Sequence, residues 1–192
     1  MSARLVVMGP QGSGKGTQAS RLAEHIGVPA ISTGDIFRAN VKSGTELGLR
    51  AKVLMDLGDL VSDEITNAMV RDRLAAPDCA DGFVLDGYPR TAAQVVTLDE
   101  MLAGSGTALD VVLELTAPHE ELLARLRKRA RIEGRDDDTE VAIRRRLDVY
   151  AELTAPLRSA YAERGLLVTV DGIGHVDAVT ERMLAALAPH LG

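Results

Sequence analysis

The chain has 192 residues with a single cysteine, and its 22 basic and 28 acidic side chains leave a net charge of −6. At 46% hydrophobic residues it suits one folded domain with a sizeable core and excludes a disordered chain. The negative balance argues against general nucleic-acid binding, and one cysteine excludes an internal disulfide or a multi-cysteine zinc site.

No apolar run approaches the roughly eighteen residues that cross a bilayer, so no membrane partner is expected. No signal-peptide pattern stands at the N-terminus, and a cytoplasmic location is expected. In chain order, short apolar runs alternate with helical stretches, the pattern of a parallel sheet with helices on both faces. Strands are predicted at Arg4–Met8, Pro29–Ser32, Gly82–Asp86, Asp110–Leu115 and Leu166–Asp171. Helical spacing runs from Thr17 to Ile26 and fills Gly34–Lys42, Thr45–Leu57, Asp63–Leu74, Ala92–Leu102, His119–Arg129, Glu140–Arg164 and Val176–Leu187. Pro118 suits a helix start, Gly165 a position just past a helix end, and Asp138 or Thr139 a helix cap. Cys79 reads as a small buried hydrophobe.

Two stretches break the alternation. Several helices lie between the second and third strands, and a charged segment with Gly134 and Asp136-Asp137-Asp138 follows Arg129. Insertions on an α/β core tend to carry function.

The run Gly9-Pro10-Gln11-Gly12-Ser13-Gly14-Lys15-Gly16-Thr17 sits between the first strand and the first helix, the context of a P-loop. Its glycines let backbone N–H groups turn inward onto a polyphosphate, the helix N-terminus adds a favourable field, and Lys15 reaches the β- and γ-phosphates. Gly16 stands where most P-loops carry a hydroxyl ligand for magnesium. The ion is therefore expected to be held mostly through water and phosphate, with Thr17 as the alternative ligand. Asp86, at the end of an apolar strand, suits positioning Mg²⁺ through water. Asp35 fits either the same hydrated ion or a helix start. Arg90 lies just past the third strand, where ligands of open α/β sheets collect.

Three further motifs accompany the P-loop: Ser32-Thr33-Gly34-Asp35-x-x-Arg38, the stretch Gly82 to Arg90 followed by Gln94, and an array with Arg125, Arg129, Arg135 and Arg146. Together they resemble the adenylate kinases, in the bacterial group with a short lid, from Leu5 to about Val179. The resemblance implies a P-loop NTPase-type five-stranded parallel sheet. It also implies one kinase domain with a core (1–31, 62–127, 139–192), a helical NMP-binding insertion (32–61) and a short lid (128–138). On the ATP side it matches Gly12, Ser13, Gly14, Lys15, Gly16 and Thr17 to the phosphate loop, and Arg125 and Gly174 to the adenine. Thr33, Gly34, Arg38, Asp59, Leu60, Val61, Gly87, Tyr88, Pro89, Arg90 and Gln94 match the AMP site. Arg38 and Arg90 would hold the AMP phosphate, and Gln94 offers donor and acceptor to the base. Arg129, Arg135 and Arg146 match the arginines that converge on the transferring phosphoryl group. The spacing of eleven from Arg135 to Arg146 favours Arg135 over Arg131 in that role. Arg127, Arg131, Arg144 and Arg145 read as a solvated face. With only Ala130 to Gly134 where long lids insert far more, no lid zinc is expected.

The implied reaction is Mg·ATP + AMP ⇌ 2 ADP in a monomer, with no dedicated general base. The rival on the same fold is a UMP/CMP kinase, which typically carries alanine at the place of Thr33. A GTPase-like switch lacks its Asn-Lys-x-Asp stretch here, and a non-catalytic nucleotide-binding module would not need the full set of phosphate-contacting residues.

Overall fold

The computed structural model describes residues 3–133 and 139–190. Five strands, β1 (Ala3–Met8), β2 (Ala30–Ser32), β3 (Gly82–Asp86), β4 (Val111–Thr116) and β5 (Leu167–Asp171), form one sheet in the order β2-β3-β1-β4-β5. All neighbours pair in parallel, with Val7 opposite Asp86 and Met8 opposite Glu114. The order reverses at β1, so its carboxyl end opens between β3 and β4. Such a switch point is where doubly wound sheets bind ligands.

Helices follow as α1 (Lys15–Ile26), α2 (Thr33–Lys42), α3 (Glu46–Leu57), α4 (Asp63–Leu74), α5 (Ala92–Gly104), α6 (His119–Glu133), α7 (Glu140–Val149), α8 (Leu157–Glu163) and α9 (Val176–Leu187). Alternate residues of each strand pack on opposite faces of the sheet. Leu5, Val7, Val84 and Leu113 meet Ala19 and Leu22 of α1 and Met183 of α9. Val6, Met8, Phe83, Leu85 and Val112 meet Val70 of α4, Leu98 of α5, and Leu157 and Tyr161 of α8. Both faces are thus covered, which is why the strands read as nearly continuous apolar runs. Cys79 is buried in the second cluster, and Arg73 also donates to its sulfur at 3.0 Å.

The sequence-based boundaries hold to within a residue or so at most ends. Thr45, Thr91 and Thr139 cap α3, α5 and α7 by accepting backbone N–H groups. Two helices differ. The helix from His119 runs past Arg129 to Glu133. The single helix expected over Glu140–Arg164 is divided by a π-helical turn at Tyr150–Thr154, where Ala155 N–H bonds Tyr150 O at 2.8 Å. Pro156 is the reason: it has no N–H to continue the ladder and crowds the carbonyl four residues earlier, so the chain widens by one residue and restarts.

The α2–α3 insertion has a small core of its own, Phe37, Ala51 and Val61. It docks on α7 through Gly58, whose left-handed φ of 82° ends α3 and where a Cβ would lie 2.6 Å from Ala142 O.

Candidate active site

A cleft of about 780 Å³ opens at the carboxyl end of the sheet. Its walls come from the P-loop and α1, the insertion, the segment after β3, and α6 and α7. The P-loop lies close against α6: a Cβ at Gly12, where φ is 86°, would meet Leu122 O at 2.8 Å, so only glycine lets this backbone reach the helix. Gly14, Lys15, Gly16 and Thr17 face the cleft, while Ser13 is buried beneath the loop.

Lys15 faces a ring of charge. Desolvation pushes its ammonium down to about 8, opposed by the carboxylate of Asp86 and aided by the guanidiniums of Arg90, Arg129 and Arg146. Those four side chains, from β3, the segment after it, α6 and α7, therefore act on one point. Arg90 is itself lowered, first by desolvation, with Asp86 opposing and Arg146 and Arg38 adding to the fall. Such a set of cations, with Asp86 among them, is suited to a ligand with several negative charges. Gln11 Oε1, Ser13 Oγ and Asp86 Oδ1 are buried here without hydrogen-bond partners. Asp86 fits a hydrated cation: Oδ1 is unsatisfied, and its other oxygen would lie 3.2 Å from a Cβ at position 16. Any side chain there would crowd the carboxylate, which accounts for Gly16.

At one end of the cleft Thr33 Oγ1 donates to Gly87 O at 3.0 Å, and Arg38 pairs with Asp35 at 2.5 Å. The Asp35 backbone N–H bonds Ser32 Oγ, the cap of α2, and the Asp35 carboxylate holds Arg38. Gly34, Asp59, Leu60, Val61, Gly87, Arg90 and Gln94 line the same end. Tyr88 does not: it is buried against the core, with its hydroxyl donating to Asn67 Oδ1 at 2.7 Å. Pro89, joined to Tyr88 by a cis peptide bond, lines a smaller cavity behind the P-loop instead.

At the other end a cavity of about 430 Å³ is bordered by Ser13, Thr17, Arg125, Lys128, Gly172 and Gly174. Arg125 is fixed there by Glu121 at 2.7 Å and Gly172 O at 3.1 Å. Arg135 lies outside the described residues, as does the acidic run 136–138.

Arg127, Arg131, Arg144 and Arg145 are exposed, as expected. Arg127 and Arg144 share Glu140, but Arg145 spans 86 residues to Asp59 at 2.7 Å, and Arg146 donates to Met55 O at 3.1 Å. Both contacts tie the insertion to α7. Sequence reasoning missed Met55, Thr66 and Arg73 on the walls, because nothing in their spacing distinguishes them from ordinary helix residues. Among the described residues no group of three or more His, Cys, Asp or Glu could hold a metal, and no helix is long and apolar enough to cross a membrane.

A P-loop, a strand-end carboxylate and arginines from several elements around one two-ended cleft define a P-loop phosphotransferase acting on nucleotides. More narrowly, the chain belongs to the adenylate kinase family, whose model matches residues 7–166. It is 59% identical to an adenylate kinase of Kocuria rhizophila over 96% of this chain and 98% of that protein. It is 60% identical to one of Thermobifida fusca, over 96% and 97% respectively.

Proposed function

We propose that the two ends of the cleft hold the two substrates of the family reaction, ATP at the P-loop and Arg125 end, AMP at the Thr33 to Gln94 end. The chain is a transferase, and its reaction is ATP + AMP ⇌ 2 ADP. What supports the placement is that Arg90, Arg129 and Arg146 act on Lys15 beside Asp86, all five lining the one cleft.

The bond that forms joins an AMP phosphate oxygen to the γ-phosphorus of ATP, and the bond that breaks releases the β-phosphate oxygen of ADP. The attacking oxygen is already anionic, so no general base is required. The work is positioning and charge stabilisation. Backbone N–H groups of the P-loop and Lys15 hold the donor phosphates. Arg38 and Arg90 hold the AMP phosphate, and Gln94 reads its base. Arg129, Arg146 and, by the family match, Arg135 stabilise the charge that spreads over the transferring group. Arginines in that role are worth about 10³–10⁵ in rate. Asp86 would hold Mg²⁺ through water, and the ion when bound neutralises charge on the β- and γ-phosphates.

Residues 32–61 and the end of α6 from Lys128 act as covers that close over the substrates and exclude water, a competing acceptor. The enzyme works as a cytoplasmic monomer. The test is ADP formation from Mg·ATP with AMP, UMP, CMP or GMP as acceptor, alongside Lys15→Ala. Transfer to AMP that the variant loses by about 10³-fold or more is expected. Preference for a pyrimidine acceptor would overturn the reading of Thr33 and Gln94.

A further inference from the structure

Gln94 is 2% exposed and borders the cleft, and its amide is held at both ends. Oε1 accepts from the backbone N–H of Arg90 at 2.7 Å, and Nε2 donates to Asp63 Oδ1 at 2.7 Å. A peptide N–H only donates and an ionised carboxylate only accepts. The amide therefore has one permitted orientation, because turning it by 180° sets donor against donor and acceptor against acceptor. Asp63 is fixed in turn. Its other oxygen accepts from the Thr91 hydroxyl at 3.0 Å, and that hydroxyl oxygen caps α5 by accepting from Gln94 N–H. One lone pair of Oε1 and one N–H of Nε2 are left for a ligand, in a fixed order.

We propose that Asp63, by fixing the polarity of the Gln94 amide, makes this site select a 6-aminopurine over a 6-oxopurine monophosphate. Adenine presents an N6–H donor beside the N1 acceptor, so both meet complementary atoms. A 6-oxopurine presents an O6 acceptor beside an N1–H donor, the reverse order, and both contacts become repulsive. A hydrogen-bonding site left with unpaired polar atoms rejects such an analogue far more strongly than an apolar pocket rejects a methylene. Cytosine carries the same order as adenine, so polarity does not separate those two. Asp63 is a positioning residue: it acts on the base through Gln94. The inference rests on the reading of Gln94 as the base contact.

The experiment measures kcat/KM for AMP and for inosine monophosphate at saturating Mg·ATP in the wild type, Asp63→Asn, Asp63→Ala and Gln94→Ala. In Asp63→Asn the turned amide gains the asparagine donor at one end and is opposed only at the other, where Nε2 faces the Arg90 N–H. In Asp63→Ala the Nε2 end is no longer constrained. The AMP-to-IMP ratio is expected to fall about tenfold or more in each, on the scale of one mismatched hydrogen bond, with the KM for ATP unchanged. A purely structural Asp63 would raise KM for both acceptors alike and keep the ratio, which overturns the proposal. If Gln94→Ala itself keeps the ratio, the base-contact reading falls, and with it the inference. If Gln94→Ala loses the ratio while both Asp63 variants keep it, only the role given to Asp63 falls.

Discussion

Desolvation on the cleft wall makes the ammonium of Lys15 release its proton more readily than a lysine in water, in spite of Asp86. The free protein therefore begins to lose this charge as pH rises through about 8. The role proposed for Lys15 at the phosphates needs its charge, so kcat/KM for ATP is expected to decline above that pH. Bound phosphates favour the charged form, so the alkaline limb of kcat is displaced upward; a pH-rate profile of both constants checks the pair. The sign for stability is opposite. Between about 8 and the usual 10.5 the unfolded chain binds this proton more tightly, so the contribution of Lys15 to folding becomes more favourable as pH rises across that window. Residue identities at the P-loop were legible in the sequence because the chemistry of a phosphate cradle demands glycines and a lysine at set spacing. Asp63 was not: an acid at the start of a helix looks the same whether it serves the helix or aims another side chain.

Among the elements, the π-helical turn carries an unexpected share of the site. Thr154 is 5% exposed within it and donates to the carbonyl of Arg90 at 3.0 Å, so the turn forced by Pro156 supports the backbone of a cleft arginine. Thr154→Val keeps the shape and leaves that carbonyl unpaired. A loss of about 1–3 kcal/mol in chemical denaturation is expected, together with a raised KM for AMP. Helical periodicity placed Glu140 to Arg164 on one face and so predicted one helix, because a single inserted residue shifts the pattern too little to see. Elements bounded by glycine, threonine caps or strand ends were read to within a residue or so, since there the sequence itself carries the stop.

For the molecule as a whole, the insertion is tethered to α7 by Asp59–Arg145 and Arg146–Met55, contacts 86 and 91 residues apart in the chain. The Asp59–Arg145 pair lies at the surface, so it adds little to global stability. Arg145→Ala is expected to leave the melting temperature within a few degrees and to change the KM for AMP more than that for ATP, which steady-state kinetics on each substrate resolves. Separate ends of the cleft also predict separate ligand linkage. Mg·ATP or AMP at a hundred times its Kd is expected to raise the melting temperature by roughly 5–10 °C, and the two together by more than either.

The sequence by itself determined the α/β class, the strand and helix order, the phosphate loop and the family, because each depends on local period or on residues close together in the chain. The tertiary structure alone decided what brings Lys15, Asp86, Arg90, Arg129 and Arg146 to one point, and that Tyr88 faces the core while Arg145 reaches the insertion. It also decided that the amide of Gln94 has only one orientation. Those facts depend on groups from elements far apart in the chain, and on which hydrogen-bond donors and acceptors packing leaves facing one another.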